Sequence, residues 1–284
     1  MRSWLIIPAL CALAASGCGG GKRPMPVAGA MDADKFLYES GADALKRKKW
    51  LDAREYFRRL IDTYPRSPFR VDAKLGIGDS YLGEGRSDSL VLAANEFREF
   101  LTLAPLSERA DYAQYKLAQS QVRQMLGPQR DQTATREALR ELDRFKQNYP
   151  KSTYMKDVEV LYRQARDRLS DHEYQVGVFH FRNRLYLGAL ARFVKVMDED
   201  PGYTRKDGLI FYLAETYDRI LRPAEARAMY ELLLKDYPKS KYVKDAKKRL
   251  AIVKTAPPAP PKKTSGVGFT LFVKPTPDVG SSTR

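Results

Sequence analysis

Gly41 to Pro65 reads GADALKRKKWLDAREYFRRLIDTYP. Ala53 and Phe57 lie four residues apart, so on a helix they share one face. Pro65, eight residues further on, stands where that helix must end. The alanine lets a neighbouring helix approach closely, and the aromatic fills the groove beside it. Gly41, twelve residues before Ala53, marks where a partner helix crosses. The same spacing recurs as Ala93/Phe97/Pro105, Ala138/Leu142/Pro150, Ala189/Phe193/Pro201 and Ala226/Tyr230/Pro238. Gly177 and Ala214 stand at the place of Gly41 in the fourth and fifth sets. One set alone is what any amphipathic helix ending in proline shows. Five sets in one register predict a helical repeat array.

The pattern resembles the tetratricopeptide repeat, a two-helix unit of about 34 residues. The expected fold is all-α, an irregular tetratricopeptide-repeat solenoid of about five two-helix units over residues 34–254. Proline-to-proline distances of 40, 45, 51 and 37 residues make it irregular. Gly78 precedes Ala93 by fifteen residues rather than twelve, which predicts a three-residue insertion around Gly83 to Asp88. Ala118 precedes Ala138 by twenty, and the surplus is expected in the loop Gly127 to Thr133. Met155 to Leu169 reads as a continuous helix with Val158, Leu161, Tyr162, Ala165 and Leu169 on one face.

Outside this array the chain changes character. Arg2 and the apolar run Trp4 to Ala15, broken only by Pro8, form an export signal over residues 1–17. The run is too short for a spanning helix, which needs about twenty apolar residues. Ala15-Ser16-Gly17-Cys18 resembles the lipobox of bacterial lipoproteins, with Ala15 at the usual leucine position. That resemblance implies lipidation of Cys18, and Gly19 after it points to the outer membrane. Residues 18–33 read as a flexible tether. Residues 255–284 read as a disordered, proline-rich tail. Within it, Phe269 to Val273 is a short apolar piece that reads as a sticky patch on a solvated tail, with addition as a strand to a partner's sheet as the alternative.

Composition excludes more than it specifies. The 284 residues carry a formal charge of +15, with only two histidines and two cysteines. Cys11 leaves with the signal, so no disulfide is expected within the processed chain. A zinc site usually needs three or four Cys/His ligands, and His172 with His180 supply no third. These two read as packing or surface residues. No cofactor, metal or catalytic residue is expected. Lys and Arg mostly alternate with acids along helices, as a solvated face does. The exceptions are Lys46-Arg47-Lys48-Lys49, Lys239 to Arg249, and Lys262-Lys263. For an exported chain such charge suits anionic lipid or acidic partners better than nucleic acid. Tyr38, Tyr56, Tyr81, Tyr112 and Tyr115 are candidates for a concave groove, but core aromatics occupy the same places.

Several stretches together resemble the BamD family of outer-membrane assembly lipoproteins. They are Gly41-x-x-Ala44-Leu45 with Tyr64-Pro65-x-Ser67-Pro68, Asp111-Tyr112-Ala113-x-Tyr115, the loop Arg130-Asp131-Gln132, Tyr149-Pro150-x-Ser152-x-Tyr154, and Asp167-Arg168-Leu169 before Glu173-x-x-Val176. The likeness covers roughly residues 32–245. Asn183-Arg184 departs from the Arg-Gly the family often has there. The resemblance implies a non-enzymatic scaffold of the β-barrel assembly machinery, anchored through Cys18 on the periplasmic face of the outer membrane. Its implied partners are the BamA periplasmic domain nearest the barrel and unfolded outer-membrane proteins. In the Ala189-x-x-Arg192-Phe193 run, the resemblance implies that Arg192 matches an arginine contacting an acidic residue of BamA, against its reading as an exposed surface arginine that contributes nothing. Lys46, Arg47, Lys48 and Lys49 are a second candidate contact, against their reading as a solvated turn. A pilotin-type lipoprotein of type IV pili is the alternative, although its repeats would be more regular. A wall-cutting hydrolase would need a compact catalytic domain, for which residues 34–254 leave no room.

Overall fold

The computed structural model describes residues 32–255. The expected signal, Cys18, the tether up to residue 31, and the tail from residue 256 with its Phe269–Val273 piece lie outside the described residues. The described chain is all-α. Its helices are α1 (Ala33–Lys46), α2 (Trp50–Thr63), α3 (Arg70–Glu84), α4 (Ser87–Leu103), α5 (Ala110–Arg123), α6 (Thr133–Asn148), α7 (Met155–Arg182), α8 (Tyr186–Glu199), α9 (Lys206–Arg219), α10 (Pro223–Asp236) and α11 (Val243–Thr255). Five helix pairs, α1/α2 to α9/α10, match the five sets of the sequence, and α11 follows them.

The spacing that predicted the repeats has a direct physical counterpart. Ala53, Phe57, Ala93, Phe97, Ala138, Leu142, Ala189, Phe193, Ala226 and Tyr230 are all buried. The second helix of each pair stops two residues before its proline. The residues between, Tyr64, Ala104, Tyr149, Asp200 and Tyr237, turn out of the helix at ψ of 67°, 61°, 51°, 72° and 56°. Proline's ring excludes the α conformation from the residue before it, so helix length is written into the sequence.

Phe57 illustrates the packing. A Cβ added to Gly41 would lie 2.6 Å from its ring, and Gly76 on α3 is pressed against the ring's other edge. Burying one such side chain stabilises by about 1.5–3 kcal/mol. After the proline, an aromatic returns to the first helix of the repeat. Phe69 stacks on Tyr38 at 5.0 Å, Tyr154 on Tyr115 at 5.0 Å, and Tyr242 on Phe211 at 4.7 Å between ring centroids.

In every pair but α5/α6 a turn of two or three residues joins the helices. Lys48, Arg184 and Leu221 hold the equivalent place in three turns, five residues before the packed alanine, at φ of 58°, 61° and 60°. Arg184 thus adopts the left-handed conformation that glycine takes most easily, and the turn forms with Asn183-Arg184 in place.

Two length expectations are met only in part. The surplus of the second repeat falls where it is expected, at the end of Gly83 to Asp88, but as helix and not as turn. Gly85, at φ 72°, closes α3 at once, and the extra residues lengthen α4 to 17 residues against 14 in α2. Ser89 and Leu90 are buried, which gives that added turn a packed face. In the third repeat the surplus is mainly loop, between Arg123 and Thr133, as expected. The stretch from Met155 does not stop at Leu169 either: α7 runs 28 residues to Arg182. No proline interrupts it, so nothing forces a break.

The described chain divides into two compact lobes, one ending at Gln175 and the other starting at Val176. In the first, α1 to α6 pack each on the next, and α1, α3 and α5 also touch in sequence. Leu37, Phe57, Leu60, Phe97, Phe100 and Leu117 centre one core cluster, with Leu142, Phe145, Val158 and Ala165 in a second. In the other lobe α8 to α11 pack each on the next. Tyr230, Leu233, Ala246 and Leu250 lie at the centre of its core.

Candidate functional site

Because α1, α3 and α5 touch in sequence, their outward faces form one wall. An open cavity of about 450 Å³ lies on it, lined by Leu45 and Lys46 of α1, Trp50 of α2, Asp79, Leu82 and Gly83 of α3, and Tyr112, Lys116, Gln119 and Arg123 of α5. The floor is apolar, from Leu45, Trp50 and Leu82. Gly83 lets the Trp50 ring pack closely on α3, since a Cβ there would meet it at 2.6 Å.

Polar groups of the cavity are ordered by a few contacts. Tyr112 Oη donates to the Asp79 carboxylate, 2.7 Å from Oδ2 and 2.8 Å from Oδ1. Burial pushes the Asp79 carboxyl above its ordinary range, against the lowering effects of the Tyr112 hydrogen bond and of the Lys116 and Arg109 charges. Burial, then the Asp79 charge, pushes the Tyr112 phenol well above its ordinary value. The Arg109 guanidinium lies 5.1 Å from the Tyr112 ring centroid. Lys116 Nζ lies 5.3 Å from the same centroid and 5.4 Å from that of Tyr115. Arg123 donates to the Leu82 carbonyl at 2.5 Å, near the end of α3 where the helix dipole favours a cation.

The cavity thus presents cations, Lys46, Lys116 and Arg123, while its one acid is capped by Tyr112. It suits an extended chain with apolar side chains and a negative group. Among the described residues, no cluster of His, Cys, Asp or Glu has the makings of a metal site. No described helix is long and apolar enough to cross a membrane.

The basic turn singled out in the sequence is divided by the fold. Lys46, Arg47 and Lys48 are exposed and Lys49 half-buried. Lys46 borders the cavity, Arg47 pairs with Asp43 one turn back at 3.2 Å, and Lys48 occupies the left-handed turn position. Arg192 lies on α8 in the other lobe, half-buried between the buried Ala189 and Phe193, and it has an interaction within the chain. Of the five tyrosines considered for a groove, Tyr56 and Tyr81 are core residues. Tyr38, Tyr112 and Tyr115 are half-buried, and Tyr112 is the one that lines the cavity. His172 bonds to the Pro128 carbonyl at 2.7 Å, fastening the 127–132 loop to α7.

Trp50, Asp79, Lys116 and Arg123 were not singled out from sequence. Their signal is faint: each lies on or beside a first helix, displaced from the packed small residues. Tyr112 and Asp79 are 33 residues apart, and no local pattern joins them.

The chain is similar to known proteins over most of its described length. Residues 30–232 match the family YfiO, described as an outer membrane lipoprotein. The chain is similar to three proteins described as outer membrane protein assembly factor BamD. That of Caulobacter vibrioides is 29% identical over 243 residues, covering 85% of this chain and 78% of the relative. That of Xylella fastidiosa is 21% identical over 251 residues, covering 84% and 85%. That of Rickettsia prowazekii is 24% identical over 206 residues, covering 72% and 81%. Among solved structures, a tetratricopeptide repeat protein from Parabacteroides merdae overlaps with a TM-score of 0.33 and 13% identity, over 78% of this chain and 73% of that one.

Proposed function

The chain belongs to the BamD (YfiO) family of outer membrane lipoproteins, and from that premise we propose that it is a scaffold of the β-barrel assembly machinery. It holds unfolded outer-membrane proteins in the cavity of α1, α3 and α5, with Lys46 on the rim. It engages the BamA periplasmic domain through the lobe that carries Arg192. Lipid on Cys18 tethers it to the periplasmic face of the outer membrane. The family is one of assembly factors, not enzymes, and the site chemistry described above is that of binding.

One observation carries the substrate reading: an open, cation-rimmed cavity with an apolar floor, walled by three successive first helices. An extended segment gains apolar burial there and satisfies its charge on the rim without any bond being made or broken. The three relatives are all described as assembly factors, which favours this reading over the pilotin-type adaptor. Photo-reactive side chains placed at Lys116 and at Arg192 of the full lipoprotein test it. Cross-links from the first to unfolded barrel proteins and from the second to BamA are expected. A main partner of pilus origin at either position would overturn the proposal.

A further inference from the structure

The largest concentration of charge left over lies at the end of the second lobe. Lys235, Lys239, Lys241, Lys244, Lys247 and Lys248 are all exposed, along the end of α10, the turn after it and α11. Among the described residues none of the six is in an ion pair. The acids interspersed with them are Asp236 and Asp245. On α11, Ala246, Leu250 and Val253 face the core, so Lys244, Lys247 and Lys248, three and four residues apart, share a face turned outward. The single arginine of the stretch is spent inward. Arg249 Nε bonds to Glu215 Oε1 at 3.0 Å, and Tyr230 Oη donates to the same oxygen at 2.5 Å.

We propose that this lysine face of α10–α11 is a contact surface for anionic lipid headgroups, holding the second lobe against the membrane.

The chemistry of the residues chooses this partner. Protein interfaces are enriched in arginine and aromatic anchors and depleted of lysine, because a flexible, strongly hydrated ammonium is costly to dry and order. A headgroup layer asks for neither drying nor fixed geometry. It is a sheet of mobile negative charge, and hydrated point charges spread over two helical turns and a loop match it. The sequence continues the pattern at Lys262-Lys263. Membership of an outer membrane lipoprotein family puts the chain at such a surface. A lipid on Cys18 fixes one end of the chain, and the lysine face gives the other end a separate, salt-sensitive contact. The inference does not depend on the cavity or on Arg192.

The test uses the chain lacking residues 1–17 and carrying Cys18→Ala, so that no acyl chain contributes. Its sedimentation is measured with vesicles of phosphatidylethanolamine and phosphatidylglycerol, and with vesicles of phosphatidylcholine alone. Binding to the anionic vesicles that falls steeply between 50 and 300 mM salt is expected, on the order of tenfold or more. Replacing Lys241, Lys244, Lys247 and Lys248 by Gln should lower affinity about 600-fold, at about fivefold per lysine. The control replaces Lys35, Arg59, Arg66 and Lys151, all exposed on the first lobe, by Gln. It removes the same charge and should change affinity by less than about fivefold. Unchanged helicity by circular dichroism shows that both variants fold. Equal loss in both variants would make the effect one of net charge and overturn the proposal. So would equal binding to neutral vesicles. Retention of vesicle binding by the variant lacking Lys241, Lys244, Lys247 and Lys248, whatever protein partner it loses, would overturn it as well.

Discussion

Ser67 Oγ donates a hydrogen bond of 2.7 Å to Asp34 Oδ2, joining the chain that leaves α2 to the first turn of α1. The same clasp recurs as Ser152 to Asp111 at 2.7 Å and Ser240 to Asp207 at 2.6 Å. In all three the serine sits two residues after the proline, and its oxygen also accepts the N–H of the stacking aromatic at 3.2 Å. In the second repeat Asp72 instead meets Arg109 at 3.3 Å, and Ser107 accepts only the Arg109 N–H at 3.2 Å. The clasp closes a repeat on itself, first helix to exit turn.

Its strength should depend on pH. The Ser67 hydrogen bond holds the Asp34 carboxyl below its ordinary value. A carboxyl lowered in the folded state adds stability above its unfolded value of about 4, and loses it as pH falls through the lowered one. Ser67→Ala should therefore cost about 1 kcal/mol near pH 7 and progressively less below about pH 4. Urea titrations at a series of pH values test this, followed by Trp50, the one tryptophan beyond the expected signal. A cost that is constant down to about pH 2 would show the carboxylate plays no part.

Gly41→Ala sets two effects against each other. Alanine favours a helix by about 1 kcal/mol over glycine. The new methyl, however, would lie 2.6 Å from a Phe57 ring held on its far side by Gly76. Overpacking of a closed site costs about 1–3 kcal/mol, so a net loss is expected. Phe57→Leu in the same chain should make Gly41→Ala close to neutral or favourable. A denaturation series on the four proteins decides, and additive effects would refute the contact.

Leu221 is 77% exposed and sits at φ 60°. A branched side chain in that conformation costs about 1–2 kcal/mol, offset in part by the greater unfolded-state freedom of glycine. Leu221→Gly should therefore stabilise the second lobe by about 0.5–1 kcal/mol. Loss of stability would mean that the side chain has a packing role.

Tyr112→Phe removes the donor that caps Asp79. A half-buried carboxylate left without it should cost about 1–3 kcal/mol near neutral pH. Burial already raises this carboxyl, so protonation relieves the site, and the cost should shrink as pH falls towards about 4. Trp50 lines the same cavity and reports it directly. A pH-independent cost would assign the loss to packing.

Arg192→Ala should weaken BamA binding by about 2–5 kcal/mol, the range for truncating one member of a buried charge pair. Arg192→Lys should recover only part of it, because an ammonium lacks the planar fork of guanidinium. Titration calorimetry with the BamA periplasmic domain supplies the numbers. Wild-type affinity for Arg192→Ala would remove this side chain from the interface.

The repeats were readable because their determinants are local. Helical periodicity puts Ala189 and Phe193 on one face, and Pro201 bars the residue before it from the helix, whatever surrounds them. The lipobox-like run to Cys18 and the charge pattern at Lys46–Lys49 and Lys239–Arg249 are local in the same sense. The clasp of Ser67 on Asp34 and the capping of Asp79 by Tyr112 are different. Their partners lie 33 residues apart, and what brings them together is how each helix is rotated against the next. That rotation is set by close contacts such as Gly41 on Phe57, and by left-handed turns at residues as unlike as Lys48, Arg184 and Leu221. It also decides that Lys46 borders a cavity while Arg47 faces Asp43, a difference that two adjacent cations in a sequence do not carry. Spacing along the chain sets which face a residue occupies, and helix packing sets what that face meets.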